Sequence, residues 1–137
     1  MNLNSDDGNV ILEFIGVVVA LVVPLTFIAG ACISVSQTYL ATDAAARAAS
    51  RAFVSASTDS RAQANARSAA RIIMQDHGVL DTTLSTTISC SKTPCLLPSS
   101  YVTVVVKRNV KISLPSIFGN RYVTVKASHT GVVDELR

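Results

Sequence analysis

The pattern of hydrophobic and polar positions begins with a long apolar segment. Residues 14–35 carry no charged side chain, and a helix of this length rises about 33 Å, enough to cross the hydrocarbon core of a bilayer. Alanine-rich sequence continues beyond it to about Phe53, with Asp43 and Arg47 in the favourable order for an ion pair four residues apart. The pattern therefore predicts a spanning helix that runs unbroken out of the membrane.

A second helical segment follows a break that is rich in hydroxyl side chains, residues 55–60. The helix is predicted from about Ser60 to Asp76, with its N-cap in the break and Gly78 as its C-terminal stop. His77 suits the end of a helix better than it suits a ligand role. We expect one apolar stripe on this helix, formed by Ala62, Ala66, Ala69, Ile72 and Ile73.

Beyond residue 79 the hydrophobic period changes to two, which is typical of amphipathic strands. The first such run alternates hydroxyl residues with Leu84, Thr86, Ile88 and Cys90. A second apolar face is formed by Val102, Val104 and Val106, and its phase is kept by Val110, Ile112 and Leu114. Because the basic segment at residues 107–109 separates the two sets, we expect either a bulge in one long strand or a tight hairpin.

Residues 115–120 then predict a turn, and Val123, Val125 and Ala127 predict a last strand. The predicted fold class is α+β: an N-terminal transmembrane helix extends into a soluble part, and a second helix packs on a small three- to four-stranded antiparallel sheet. A chain of 137 residues has room for this anchor and for one modest domain.

Composition and charge bear on the class of partner that the protein can bind. The formal net charge is +3, with 15% charged and 5% aromatic residues. Arginines of the helical segments alternate with Asp43, Asp59 and Asp76, so the basic side chains do not visibly converge on one face. No aromatic residues are interleaved among them for base stacking, and the pattern therefore disfavours nucleic-acid binding. These arginines are Arg47, Arg51, Arg61, Arg67 and Arg71.

One carboxylate, Glu13, lies among apolar residues at the N-terminal edge of the span, directly before Phe14. A charge at the edge of a membrane needs a reason. If the chain is cut after Gly8, Asn9 gains an ammonium group, and Glu13 lies about 6 Å further along the helix axis. In a packed assembly, that carboxylate can pair with the amino terminus of a neighbouring subunit.

Two other readings of this region stay open. In the first, Glu13 extends to the lipid headgroups and pairs with no particular partner. In the second, the N-terminal segment is a signal peptide, because residues 28–32 have a loose likeness to a lipoprotein cleavage box that ends at Cys32.

The order of Gly8, an apolar run and a glutamate at the fifth position of the cut chain resembles the processing signature of type IV pilins. The closer likeness is to the TadE-like subunits of tight-adherence pili, in which a short leader ends in glycine and a Glu-Phe pair, here Glu13 and Phe14, opens the spanning helix. An Ala- and Arg-rich helix at residues 42–51 and a last strand and tail at residues 123–136 also resemble the family. The likeness covers most of the chain, but only Gly8 and Glu13 are specific motif positions.

This resemblance implies a minor pilin or pseudopilin of a tight-adherence, type IV-like pilus or of a related adhesion or secretion apparatus. A prepilin peptidase would cut between Gly8 and Asn9, and Glu13 and Phe14 would serve assembly. The implied partners are other pilin or pseudopilin subunits, the peptidase and an inner-membrane assembly platform. The implied location is the cell membrane, with one span and an extracytoplasmic C-terminal domain, or a surface pilus after incorporation.

The expected organisation follows from the cut site and the predicted elements. Residues 1–8 form the leader, 9–55 the spanning and extended helix, 56–78 the second helix and 79–137 the antiparallel β domain. The positions of Arg47 and Arg51 after the span favour the opposite orientation by the positive-inside rule, but we still expect the extracytoplasmic C-terminal domain that the resemblance implies.

Cys90 and Cys95 flank a four-residue polar insert between two predicted strands. Outside a reducing compartment this spacing favours a small disulfide loop. Free thiols and half of a zinc site are the weaker alternatives, since only His77, His129 and Cys32 could complete a metal site.

The sequence contains no nucleophile elbow, phosphate loop, paired-carboxylate cluster or His-rich metal spacing. We therefore predict neither an enzyme nor a cofactor or metal site. Two function classes remain: a structural pilus or secretion subunit, and a single-span membrane- or lipid-anchored extracytoplasmic binding protein that does not assemble.

Overall fold

The computed structural model describes residues 7–78, 83–112 and 119–134. Two helices come first along the chain, α1 (Asp7–Val54) and α2 (Asp59–Asp76). Three strands follow, β1 (Ser85–Cys90), β2 (Tyr101–Ile112) and β3 (Arg121–Val132). The strands form one antiparallel sheet in the order β1-β2-β3. The predicted α+β class is confirmed, with three strands described.

Helix α1 is continuous over 48 residues, with Pro24 inside it. At 1.5 Å per residue it is about 72 Å long, and only its part from Thr38 onward packs against the domain. The predicted pair is present, because Arg47 Nη2 lies 2.9 Å from Asp43 Oδ2. The apolar segment and the alanine-rich segment that follows it therefore form one continuous helix, as the sequence predicted.

Helix α2 begins after Thr58, whose side-chain oxygen accepts a hydrogen bond from the Arg61 backbone N–H at 3.4 Å. It ends before His77, and Gly78 then takes a positive φ of 72°. The predicted break and stop are thus confirmed, within one residue at the start of the helix.

The predicted apolar stripe of α2 is partly wrong. Ile72 was placed in it, yet this side chain is 55% exposed. The buried positions recur at every fourth residue, because α2 lies along α1 and small side chains let the two helix backbones approach. They are Ala62, Ala66, Ala70 and Met74.

Strand β2 runs without a bulge and without a hairpin through the basic segment, so both expectations for residues 107–109 were wrong. Its pairing with β3 is continuous there, with Arg108 opposite Val125. The physical reason is parity: the apolar residues on both sides of this segment are even-numbered, so one straight strand keeps them on the same face. Leu114 and most of the predicted turn at residues 115–120 lie outside the described residues.

The core lies between α1 and the sheet, and α2 packs beside α1 toward β1. Helix α1 covers β2 and β3, while α2 packs mainly on α1 and reaches the sheet at β1. Phe53 and Met74 are the largest fully buried side chains, and alanine and valine supply most of the remaining core. Helix α1 contacts α2, β2 and β3 and is therefore the central element of the domain. Its packing fixes the direction in which its N-terminal part leaves the domain.

Candidate assembly surface

Helix α1 divides into a covered and an uncovered part. From Thr38 onward one side of the helix is buried against the domain, whereas every residue from 10 to 30 is exposed. The most apolar 18-residue window of α1 has a mean hydropathy of 2.6 and none of it is buried. The structure therefore contains one N-terminal helix long and apolar enough to span a membrane, and its apolar surface must be covered by lipid or by other chains.

The four residues predicted to serve processing and assembly all lie at the N-terminal end of α1. Gly8 and Asn9 belong to the first two turns of the helix. Glu13 is exposed, and Phe14 is 67% exposed. Glu13 and Phe14 thus lie on the exposed part of α1, about one turn after Gly8 and Asn9.

Among residues 7–78, 83–112 and 119–134, no lysine or arginine side chain lies within reach of the charge of Glu13. The first lysine or arginine in the sequence is Arg47, 34 residues further on. Because α1 is one unbroken helix, this spacing separates the two side chains by about 51 Å along the axis. The later basic residues that the structure describes belong to the folded domain, which packs on the C-terminal part of α1. Within the part of the chain that the structure describes, no lysine or arginine is therefore placed to pair with Glu13.

Four hydroxyl side chains in and next to the apolar segment of α1 donate to carbonyl oxygens of the same helix and do not form a site. Thr26 Oγ1 donates to the Val23 carbonyl oxygen at 2.7 Å, and Thr38 Oγ1 donates to the Ser34 carbonyl oxygen at 2.9 Å. Such bonds satisfy the hydroxyl donor with a backbone carbonyl oxygen, which lowers the cost of placing the hydroxyl group in an apolar segment. Cys32 is a free, exposed thiol in the same part of the helix.

The predicted disulfide is present between Cys90 and Cys95, with a sulfur–sulfur distance of 2.08 Å. Its loop contains a cis peptide bond before Pro94. The Cys95 backbone N–H donates to Asp59 Oδ2 at 3.2 Å, and Ser100 Oγ donates to the Cys95 carbonyl oxygen at 2.5 Å. The loop thus joins the end of β1 to the first turn of α2, a contact that sequence reasoning missed because it depends on tertiary placement.

The two histidines are not brought to the disulfide. His77 follows the C-terminus of α2, and His129 lies on β3 opposite Val104. Over residues 7–78, 83–112 and 119–134, no group of three or more potential metal ligands occurs. The thiols are in a disulfide in this structure, so the free-thiol and zinc alternatives for Cys90 and Cys95 do not apply to it.

The expectation that basic residues do not converge was wrong for the sheet. Lys107 of β2 pairs directly with Lys126 of β3; Lys111 lies four residue pairs nearer the strand end on the same face, and Arg121 lies five pairs nearer it on the opposite face. We call Lys107, Arg108, Lys111, Arg121 and Lys126 the basic sheet end. Sequence spacing alone could not show it, because the cations of the two strands meet only in this register.

An open groove of about 560 Å³ connects the basic sheet end with the helices. It lies between α1, the end of α2 and Arg108 of β2. The α1 residues that line it are Ser34, Gln37, Thr38 and Leu40. The groove therefore marks the place where the domain meets the end of the apolar segment.

No protein-family model matches this chain, and no curated protein or solved structure is significantly similar to it.

Proposed function

We propose that this chain is a structural minor pilin or pseudopilin subunit of a tight-adherence, type IV-like pilus or of a related secretion or adhesion apparatus. In this proposal a prepilin peptidase removes residues 1–8, and the mature subunit packs into an assembly through the uncovered part of α1. Its partners are other pilin or pseudopilin subunits, the peptidase and an inner-membrane assembly platform. The C-terminal domain is extracytoplasmic.

One observation carries the proposal: Glu13 stands on an exposed apolar helix about 51 Å along the axis from the nearest cationic residue of that helix. A carboxylate in that position is costly in a bilayer, and a partner charge lowers the cost. The amino terminus that cleavage creates at Asn9 in a neighbouring subunit supplies such a charge. The long uncovered helix supports the same reading, because it offers apolar area for packing against identical helices.

The competing function is a single-span membrane- or lipid-anchored binding protein that does not assemble. It accounts for the apolar helix equally well, but it gives Glu13 no task. The two functions therefore differ in what Glu13 does and not in whether the chain enters a membrane.

Replacing Glu13 separates the two functions. Glu13→Val should leave membrane insertion intact and strongly reduce incorporation into filaments or pseudopilus complexes, because the intersubunit charge pair is lost. Thr26→Val is the matched control: it removes another polar group from the same exposed helix, but one whose hydrogen bond stays within the helix. Incorporation is measured by immunoblotting of sheared surface fractions against total membranes.

Glu13→Asp should retain part of the incorporation, since the charge remains on a shorter side chain. Unchanged incorporation of Glu13→Val would reject the assembly role and leave Glu13 as a residue that extends to the headgroups.

A further inference from the structure

The basic sheet end brings five cationic side chains together on two paired strands. Strands β2 and β3 contain five lysines and arginines and no acidic residue. Lys107 and Lys126 face each other across the two strands, an arrangement of like charges that destabilises a sheet. Among the residues that the structure describes, no carboxylate pairs with Lys107, Lys111 or Lys126. This surface is therefore suited to an anionic partner outside the domain.

The direction of β2 places this surface at the end of the domain nearest the uncovered helix. Gly131, next to Val102 in the sheet, lies against Ser50 of α1. Six residues further along β2, about 20 Å, Arg108 shares a groove with Gln37. The helix covers nearly the same distance, about 20 Å, between Ser50 and Gln37. Strand β2 thus runs alongside α1 toward its N-terminus, and its last residues lie beyond Arg108 in that direction.

The domain also overlaps the end of the apolar segment. Ala31 is the first residue of α1 that is half-buried, although the uncharged segment continues to Val35. When the exposed residues 14–30 fill the hydrocarbon core, as about 17 helical residues can, the adjacent end of the sheet lies at the depth of the lipid headgroups. Tyr122 pairs with Lys111 there and is 62% exposed, and tyrosine beside basic residues is typical of membrane interfaces.

We propose that the basic sheet end docks on anionic phospholipid headgroups of the membrane that α1 spans. The ligand class is the phosphodiester of lipids such as phosphatidylglycerol, which lysine and arginine bind through charge and hydrogen bonds. Docking holds the domain in one orientation on the membrane surface. The inference rests on the membrane insertion of α1 in the proposed function, but it does not depend on cleavage at Gly8 or on Glu13.

The test uses a fluorescent reporter in the full chain. The sequence contains no tryptophan, so Tyr122→Trp introduces a single indole at the proposed contact. The protein is reconstituted in lipid nanodiscs whose phosphatidylcholine carries bromine near the headgroup end of its acyl chains, with or without phosphatidylglycerol. We expect stronger quenching and a blue-shifted emission in the discs that contain phosphatidylglycerol, and we expect high salt to reverse both.

Removal of selected charges then tests which cationic side chains bind the anionic lipid. Lys107→Gln, Lys111→Gln and Lys126→Gln together should lower the ratio of docked to undocked domains on the order of a hundredfold, at about fivefold per cation. The matched control removes three exposed arginines of α2, with Arg61→Gln, Arg67→Gln and Arg71→Gln, and should leave the quenching unchanged.

Several outcomes would overturn the inference. Equal quenching in neutral and anionic discs would do so without any further variant, and so would equal loss in the α2 control. A response of the indole to duplex DNA, with no response to phosphatidylglycerol, would assign the surface to nucleic acid. A chain that fails to enter the discs would reject the membrane anchor itself, whereas a chain that enters them but does not assemble would reject only the pilin role.

Discussion

Gly131 of β3 lies against Ser50 of α1 so closely that a Cβ atom at position 131 would stand 2.5 Å from Ser50 Oγ. The same Cβ would stand 3.2 Å from a methyl group of Val54. The glycine therefore lets the last strand approach the central helix, and it fixes the level at which the sheet meets α1.

Replacing this glycine should destabilise the domain. Gly131→Ala forces a methyl group into the helix–sheet contact, and such overpacking costs about 1–3 kcal/mol. Chemical denaturation of the detergent-solubilised protein measures the free energy of unfolding. Ser50→Ala is the matched partner variant, because Ser50 Oγ is buried and has no hydrogen-bond partner among the described residues.

Ser50→Ala alone should be nearly neutral, and it should recover most of the stability lost in Gly131→Ala, since it removes the atom nearest the new methyl group. Additive effects of the two substitutions would contradict this account of the contact.

Removal of the disulfide should also lower stability. The closed loop is short, so Cys90→Ser with Cys95→Ser should cost about 2 kcal/mol through the added freedom of the unfolded chain. Thermal unfolding followed by circular dichroism measures the change. Cys32→Ser provides the comparison, because this exposed thiol lies outside the domain core and its replacement should leave the unfolding temperature unchanged.

The same two cysteines report the side of the membrane on which the domain lies. An extracytoplasmic domain should react with a bulky impermeant maleimide in intact cells only after reduction, because both thiols are held in the disulfide. Labelling that requires permeabilised membranes would place the domain in the cytoplasm, as Arg47 and Arg51 favour by the positive-inside rule. The pilin proposal would then fail.

Asp59 should stabilise the disulfide loop from the first turn of α2. Asp59→Ala leaves the Cys95 backbone N–H without its acceptor and removes an acidic residue from a helix N-terminus, for a combined cost of about 1–3 kcal/mol. Asp76→Ala makes the same substitution at the exposed last residue of α2, where a negative charge is unfavourable, and should not destabilise the protein. The free energies of unfolding of the two variants show whether an aspartate stabilises the protein at the first turn of α2 but not at its last residue.

Cleavage after Gly8 can be tested directly from the N-terminal residue of the mature protein. Mass spectrometry of the protein from cells with an active prepilin peptidase should find Asn9 as the first residue, and Gly8→Val should retain residues 1–8. A substitution two residues earlier, Asp6→Asn, keeps the glycine and should leave cleavage intact. Mature protein that begins at Met1 would exclude peptidase processing.

The sequence by itself determined the elements of this protein. An uncharged apolar segment followed by alanine-rich sequence can satisfy its backbone only as a long helix, and strict alternation of valine with polar residues is stable only as half-buried strands. The N-cap region before α2, the ion pair of Asp43 with Arg47 and the bond of Cys90 with Cys95 were predictable for the same reason. Each depends on residues that are close in the chain.

Only the tertiary structure decided which faces meet. Ile72 was misplaced because helical periodicity does not say which neighbour a helix has, and α2 turned its alanines toward α1. The basic sheet end was missed because Lys107 and Lys126 meet through the register of two strands, which hydrophobic spacing does not specify for polar positions. Sequence periodicity specifies local structure, whereas contacts between distant residues depend on how the whole core packs.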